Sequence, residues 1–278
     1  MSTIGSLSDD EIQILFSNER LNRLSEIYDV EGPVLILIHE SLNELGGSIF
    51  ASLSVFEVNF RNLVCLRLEQ LFGEKWFEHS VFQQGQKYRD HKTGKEKMSQ
   101  NRLKTAVSKA ISQAQKNAYA KLTAAERRSH RNALTDGDSK KDKDSKVRKN
   151  LEVSNGDIVS CFYISFWRTL FSKTYEPQLW NYGLRDIFTE TDMTRGKVSQ
   201  NLETIYKVRN RIAHHEFVHP KLCRSYLSSI VFLTENLKLE SHLGLGKVYK
   251  FQEPYIKKIE FQLSQLEHIL GTLRVPNP

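Results

Sequence analysis

The stretch from Pro33 to about Phe72 constrains the fold more than any other part of the chain. It predicts a nearly continuous helix, with Gly46–Gly47 as the expected break. Large apolar side chains recur there at helical spacing and form one stripe: Phe50, Leu53, Phe56, Phe60, Val64, Leu68 and Leu71. A helix with such a stripe must bury it against other elements.

Helical signals dominate the rest of the chain as well. Capping-box patterns occur at Ser8-x-x-Glu11 and at Thr123-x-x-Glu126. Strand-like alternation is nearly absent. Further helices are predicted at about residues 156–172, 177–188, 194–214, 220–240 and 254–271. The sequence therefore predicts an all-α bundle with additional helices.

Composition limits the kinds of protein that this chain can be. The chain has 278 residues, 39% of them hydrophobic, so it can bury a substantial core in one large domain or two small ones. Its three cysteines (Cys65, Cys161 and Cys223) form no CxxC pair, which favours small buried thiols in a reducing compartment. The N-terminus has no signal-peptide pattern, and the apolar run Val34–Ile38 is too short to span a bilayer. We expect a cytoplasmic protein without membrane contact.

Positive charge is concentrated in residues 86–150. This segment holds 19 Lys or Arg and 7 Asp or Glu, a net charge of +12, whereas the whole chain carries +7. Residues 135–149 contain a single apolar residue, Val147, and predict a flexible loop. The flank from Met98 to Leu122 predicts a basic helix. The segment is either a solvated helical hairpin or a contact surface for an RNA backbone. In the second interpretation the candidate RNA-binding residues are Lys104, Lys109, Lys116, Arg127, Arg128 and Arg131.

A charged side chain interrupts the apolar stripe of the predicted helix 194–214. That stripe consists of Val198, Leu202, Ile205, Val208 and Ile212. At 100° per residue, Arg209 falls inside it. A guanidinium cannot lose its proton, and an unpaired buried charge is strongly destabilising. Arg209 must therefore have an anionic partner or border a cleft that binds an anion.

Glu57 and Arg61 interrupt the stripe of the predicted helix 33–72 in the same way. They are four residues apart and can pair with each other, and Glu57 is also a candidate partner for Arg209. A polar network that only pins two core helices together would explain these charges without catalysis.

The residues around Arg209 match the chemistry of RNA cleavage. Cationic or polar donors and two imidazoles lie within seven residues: Arg209, Asn210, Arg211, His214 and His215. Attack by a 2′-OH needs a base, an acid and a cation that stabilises the phosphorane. Histidine suits the proton transfers, and arginine can bind two phosphate oxygens. Arg209 and His214 are about 140° apart on an ideal helix, so the helix must end or distort near Ala213 for both to reach one phosphate.

A second motif overlaps this stretch. His215-Glu216-Phe217-Val218-His219 fits HExxH, the zinc-protease pattern, which needs both histidines on one helical face. Pro220 follows directly and disfavours helical geometry at His219, so we expect a turn and no metal site. Six other histidines are scattered, and we expect surface or capping positions for them: His39, His79, His91, His130, His242 and His268.

Three sequence blocks resemble Abi-like (abortive infection) proteins of the HEPN superfamily. The first is FEVNFRN at residues 56–62, followed by Gly73 and Trp76. The second comprises NGDIV at 155–159, FWR at 166–168 and Leu179–Trp180. The third, VRNRIAHHE at 208–216, contains the RNxxxH motif. The blocks occur in family order over about residues 10–240, and residues 86–150 lie outside the resemblance.

The resemblance implies a metal-independent endoribonuclease in antiphage defence, without a cofactor. It also implies a homodimer, because HEPN proteins bring two RNxxxH motifs into one cleft. A small noncoding RNA would be a further partner, as for some Abi-like proteins. In that pattern Arg209 and His214 are the catalytic pair and Asn210 orients them. The supporting residues would be Glu57, Arg61, Arg211 and His215.

These expectations divide the chain into three segments. Residues 1–85 and 151–278 would form the HEPN-type bundle, with 86–150 as an insertion. Two other interpretations remain open. One is a non-catalytic RNA-binding or regulatory module, and the other is a purely structural polar core.

Overall fold

A computed structural model describes residues 9–84, 87–89, 94, 96–98, 101–134, 139–189, 192–241 and 244–273. Within these ranges the fold is all-α, as predicted, with two short antiparallel sheets of two strands each. The chain forms two compact units. The first unit comprises residues 1–58 and 201–278, and the second comprises residues 59–200.

The α-helices are α1 (Asp9–Phe16), α2 (Asn18–Tyr28), α3 (Pro33–Phe72), α4 (Ser80–Gln83), α5 (Arg102–Lys121), α6 (Ala124–Asn132), α7 (Lys140–Asn150), α8 (Asn155–Ser160), α9 (Ile164–Leu170), α10 (Arg195–Ala213), α11 (Pro220–Asn236) and α12 (Tyr249–Leu273). The strands are β1 (Lys87–Arg89), β2 (Glu96–Met98), β3 (Lys238–Ser241) and β4 (Gly244–Lys247), paired β1–β2 and β3–β4. Short 3-10 helices span Trp76–Glu78, Lys173–Tyr175 and Leu184–Ile187, and a π-helix spans Glu176–Trp180.

Helix α3 runs through Gly46–Gly47 without the predicted break. Each glycine costs about 1 kcal/mol relative to alanine in a helix. Leu45 and Ile49 on either side are fully buried, and their burial outweighs that cost. Helix α3 is also long and apolar enough to cross a membrane, but the core helix of a soluble protein meets the same criterion.

A neutral polar network joins α3, α11 and α12 in the core of the first unit. The Tyr226 hydroxyl donates to Oγ of Ser52 at 2.8 Å, and that Oγ donates to Oε1 of Gln252 at 3.2 Å. Nε2 of Gln252 donates to the Ser52 carbonyl at 3.1 Å. All three side chains are buried, so their mutual hydrogen bonds replace those lost to water and fix the three helices together.

The core of the second unit is an aromatic cluster. Trp76 packs edge-on against Phe82 at 5.0 Å between ring centroids, and Phe162 stacks on Phe166 at 4.0 Å. A single helix was predicted at residues 156–172, but the structure has two helices there, α8 and α9. The connection between them contains Phe162, which is buried in the cluster.

The basic segment lies within the second unit, and its prediction as a loop is wrong for residues 140–149. These residues belong to α7, which begins after Ser139, whose Oγ accepts a hydrogen bond from the Asp142 backbone at 3.2 Å. Asp144 accepts hydrogen bonds from Tyr119 at 2.6 Å and from Arg131 at 2.8 Å. Val147 is buried. Tertiary contacts thus stabilise a helix that its polar composition does not predict, and residues 135–138 lie outside the described residues.

Helix α10 matches its prediction within one residue at each end. Ile212 of its stripe is half-buried. The other four members are buried: Val198, Leu202, Ile205 and Val208. The capping box at Thr123 and Glu126 is also confirmed, whereas Ser8 lies outside the described residues.

The cysteines are free thiols. Burial raises the pKa of Cys65 and of Cys223 to about 12, as expected for buried thiols, and Cys161 is half-buried.

Candidate functional site

The RNxxxH stretch forms the end of α10. The His215 amide donates to the Ile212 carbonyl at 3.0 Å, and the Glu216 amide donates to the Arg211 carbonyl at 2.7 Å. His215 has a φ of +55°, the left-handed conformation in which a helix is commonly terminated. Helix α10 therefore ends at Ala213, and His214 and His215 are both exposed.

His215 occupies a backbone position that favours glycine. A left-handed residue with a side chain costs about 1–2 kcal/mol, and glycine's greater freedom in the unfolded chain offsets roughly 0.5–1 kcal/mol of this. We expect His215→Gly to raise the free energy of unfolding by about 0.5–1 kcal/mol in urea denaturation. His214→Gly, without left-handed strain to relieve, should lower it. A loss of stability in His215→Gly would mean that the imidazole makes stabilising contacts larger than the strain.

A cavity of about 390 Å³ lies where this turn faces α2 in the first unit. Its lining is Ser17, Glu19, Arg20, Arg23, Leu24, Ile27, Arg211, His214, His215, Glu216, Phe217 and His219. The predicted residues Arg211, His214 and His215 are thus brought together. The cavity has three arginines and three histidines against two glutamates, so it suits an anionic ligand.

Arg211 holds the turn in place. Its Nε donates to the Phe217 carbonyl at 3.0 Å, and its Nη2 lies 3.4 Å from Oε2 of Glu216. These contacts connect the end of α10 to the segment before α11. Arg211 therefore positions the two exposed histidines in addition to contributing charge.

Two arginines of α2 were not predicted as site residues. Arg20 is half-buried, with its guanidinium carbon 4.2 Å from the ring centroid of Phe217, and its Nε has no hydrogen-bond partner among the described residues. Arg23 is exposed. Leu21 and Leu24 are buried and fix the helix that carries both arginines. No helix was predicted at residues 18–28, although the three-residue spacing of these leucines is typical of an amphipathic helix.

His219 is a third imidazole of the cavity. Its Nδ1 lies 3.0 Å from the Tyr28 hydroxyl, within hydrogen-bond distance. Burial, followed by the nearby positive charges of Arg211 and Arg23, lowers the pKa of His219 below its usual value. At neutral pH this imidazole is therefore mostly neutral and can accept a proton. Burial also raises the pKa of Tyr28 to about 12, so its hydroxyl stays protonated.

His39 lies beneath the same turn, and the expectation of a surface or capping position is wrong for this residue. The side chain is only 3% exposed, between the rings of Phe16 at 4.5 Å and Phe217 at 5.2 Å. Its Nδ1 is 3.2 Å from Nδ2 of Asn43. Burial, with a smaller contribution from the charge of Arg20, lowers the pKa of His39 to about 4.

The geometry required by the HExxH pattern is not formed. His215 is in the left-handed turn after α10, and His219 has extended backbone angles directly before α11. The two histidines therefore do not occupy successive turns of one helix. The predicted turn at this segment is confirmed.

The remaining residues of the predicted catalytic group are placed elsewhere on the helices. Arg209 and Asn210 are half-buried on α10 and are not among the residues lining the cavity. Among the described residues Arg209 has no ion pair, and its partial exposure lets the guanidinium remain hydrated. Glu57 and Arg61 are half-buried on α3, and Nε of Arg61 lacks a hydrogen-bond partner within the described ranges. The catalytic and supporting roles of these residues stay predictions.

The six candidate RNA-binding cations fall into two groups. Lys104, Lys109 and Lys116 are exposed on α5 and line a second cavity. On α6, Arg131 pairs with Asp144 and Arg127 lies over the ring of Tyr119 at 4.9 Å, while Arg128 is exposed. Arg131 and Arg127 thus have structural contacts within the second unit.

The chain matches no protein-family model, no curated protein and no solved structure. The likeness to Abi-like proteins consequently rests on the three sequence blocks.

Proposed function

We propose that this chain is a metal-independent endoribonuclease of the HEPN class, acting in antiphage defence through attack of an RNA 2′-OH on the adjacent phosphate. The cavity at the end of α10 is the observation that supports this proposal most directly. It combines proton-transfer groups with guanidinium groups in a space open to a ligand. The family resemblance at residues 208–216 supplies the reaction class.

Each group in the cavity suits one part of the reaction. His219 is the candidate base, because its Nδ1–H can donate to the Tyr28 oxygen and leave Nε2 free to accept the 2′-OH proton. His214 is the candidate acid for the leaving 5′-oxygen. Arg20 and Arg23 would stabilise the charged phosphorane, a role that the resemblance gives to Arg209. Asn210 would orient the RNxxxH residues.

The products of RNA cleavage test the reaction class. Purified protein incubated with single-stranded RNA in excess EDTA should produce fragments with 2′,3′-cyclic phosphate and 5′-OH ends. These ends follow from transfer of the phosphate to the 2′-oxygen, and mass spectrometry of the fragments identifies them. Fragments with 3′-OH ends, or cleavage only when magnesium is added, would contradict the proposed reaction.

The pH dependence tests the assignment of His219 as the base. Since the pKa of His219 is lowered, kcat/KM should fall on the acidic side only below pH 6.5, the usual value for histidine. Arg23→Gln removes one of the positive charges that lower this pKa, so the acidic limb should move to higher pH. Lys258→Gln on α12 makes the same change in charge at an exposed position and should leave the limb in place. An unmoved limb in Arg23→Gln would exclude His219 as the base.

A non-catalytic RNA-binding or regulatory module, such as a carrier of a small noncoding RNA, is the second candidate function. The observation that favours it is the row of lysines on α5, which form no ion pair with any residue that the structure describes.

We further propose that the protein is cytoplasmic and that two copies associate, as the RNxxxH resemblance implies. Sedimentation of the purified protein measures that association.

A further inference from the structure

The second unit contains a basic cavity whose residues differ from those of the candidate nuclease site. It has a volume of about 780 Å³ and lies between α5 and the connection from α8 to α9. Four cations line it: Arg102, Lys104, Lys109 and Lys116. No Asp or Glu is among the described residues of its lining. Such an uncompensated excess of positive charge favours a polyanionic ligand.

The cations are held on a rigid helix. Leu103, Val107 and Ala110 are buried on the inner face of α5, so the helix is fixed against the rest of the unit. Arg102, Lys109 and Lys116 are seven residues apart and therefore follow one line along α5, in steps of about 10 Å. Within the described part of the chain none of the lining lysines has an ion pair. A row of such cations of this length suits an extended backbone of phosphates.

An exposed aromatic ring lies in the same cavity. Tyr163 is 68% exposed, although its backbone is fixed as the residue before α9 and its carbonyl accepts a hydrogen bond from Phe166 at 2.8 Å. The neighbouring Phe162 and Phe166 are buried in the aromatic core. An anchored residue with an exposed ring is suited to stacking on an unpaired base.

We propose that the cavity between α5 and Tyr163 binds single-stranded nucleic acid, with phosphates on Arg102, Lys109 and Lys116 and a base stacked on Tyr163. A duplex would offer its phosphates but no unstacked base to the ring. An acidic peptide would use the lysines and leave the ring without a flat partner. The hydroxyls of Ser108 and Ser112, exposed on the same side of α5, are available to phosphate or sugar oxygens.

Binding of a 12-nucleotide single-stranded oligothymidylate to the full chain, followed by fluorescence anisotropy, tests this site. The DNA probe has no 2′-OH and cannot undergo the proposed cleavage, so the result is independent of the nuclease assignment. Tyr163→Ala should weaken binding about tenfold, and Tyr163→Phe, which keeps the ring, should stay within about twofold of wild type. Tyr182→Ala is the matched control, since Tyr182 is 59% exposed but stacks on Phe72 outside the cavity.

The salt dependence tests the phosphate contacts. Replacing both Lys109 and Lys116 by Ala should reduce the slope of log Kd against log salt by about 1.4, because each phosphate contact to a single strand contributes about 0.7. Replacing the exposed Lys140 and Lys141 instead should leave the slope unchanged. No binding, stronger binding of the corresponding duplex, or an unchanged affinity in Tyr163→Ala would overturn the proposal.

Discussion

His214→Ala is expected to lower kcat for RNA cleavage by about 10²–10⁴-fold, the usual contribution of a general acid or base. RNA affinity should change little, because the guanidinium groups of Arg20, Arg23 and Arg211 remain. His214 is exposed at the end of α10, so its replacement does not disturb the core. Single-turnover kinetics with a labelled RNA, together with a binding measurement, separate the two effects.

His268→Ala provides the matched control for this experiment. His268 is an exposed histidine on α12 and does not line the cavity, so cleavage should stay at the wild-type rate. The same pair of variants distinguishes the candidate functions. A non-catalytic RNA-binding module would show affinity but no cleavage in any form, and a purely structural polar core would show neither. Equal cleavage by wild type and His214→Ala would exclude His214 from the reaction.

Acidification is expected to destabilise the fold through His39. The pKa of this buried imidazole is lowered to about 4, mainly by burial, whereas histidine in an unfolded chain has a pKa near 6.5. Between these values the unfolded chain binds a proton that the folded chain does not. The stabilisation is therefore complete above pH 6.5 and is lost as the pH falls towards 4. Its size is on the order of 3 kcal/mol, from about 1.4 kcal/mol per pKa unit.

Chemical denaturation at pH 7 and at pH 4 measures this effect. Carboxylates also titrate in this range, so the comparison is between wild type and His39→Gln, which keeps a polar group near Asn43 but cannot titrate. The variant should lose about 3 kcal/mol less than wild type over this interval. His268→Gln, at an exposed position, should behave like wild type. Parallel pH profiles for wild type and His39→Gln would show that His39 is not protected from protonation.

Local periodicity predicted the helix that carries the candidate site. The spacing from Val198 to Val208 located α10, and the later Pro220 was consistent with an end near Ala213. The same helical projection overestimated the burial of Arg209, which is half-buried. A projection gives the direction of a side chain but not the width of the helix face that its neighbours cover. A long side chain near the edge of that face can therefore reach solvent.

Contacts distant in sequence explain what the pattern missed. Tyr28 and His219 meet across 191 positions, and no periodic signal relates them. His39 appeared as an isolated polar residue, yet the rings of Phe16 and Phe217 cover it from two separate segments. Helix α7 depends likewise on the bonds from Tyr119 and Arg131 to Asp144. Composition alone favoured a loop there, because it does not include such tertiary partners.

Sequencing of RNA ends from cells expressing either the wild type or His214→Ala detects cleavage of any cellular RNA that depends on His214, whichever RNA is the target. In cells with the wild type we predict new downstream fragments with 5′-OH ends and matching upstream fragments with 2′,3′-cyclic phosphates. In cells with the variant these ends should be lost. Identical sets of RNA ends in the two cultures, at equal protein levels, would mean that the protein cleaves no cellular RNA through His214.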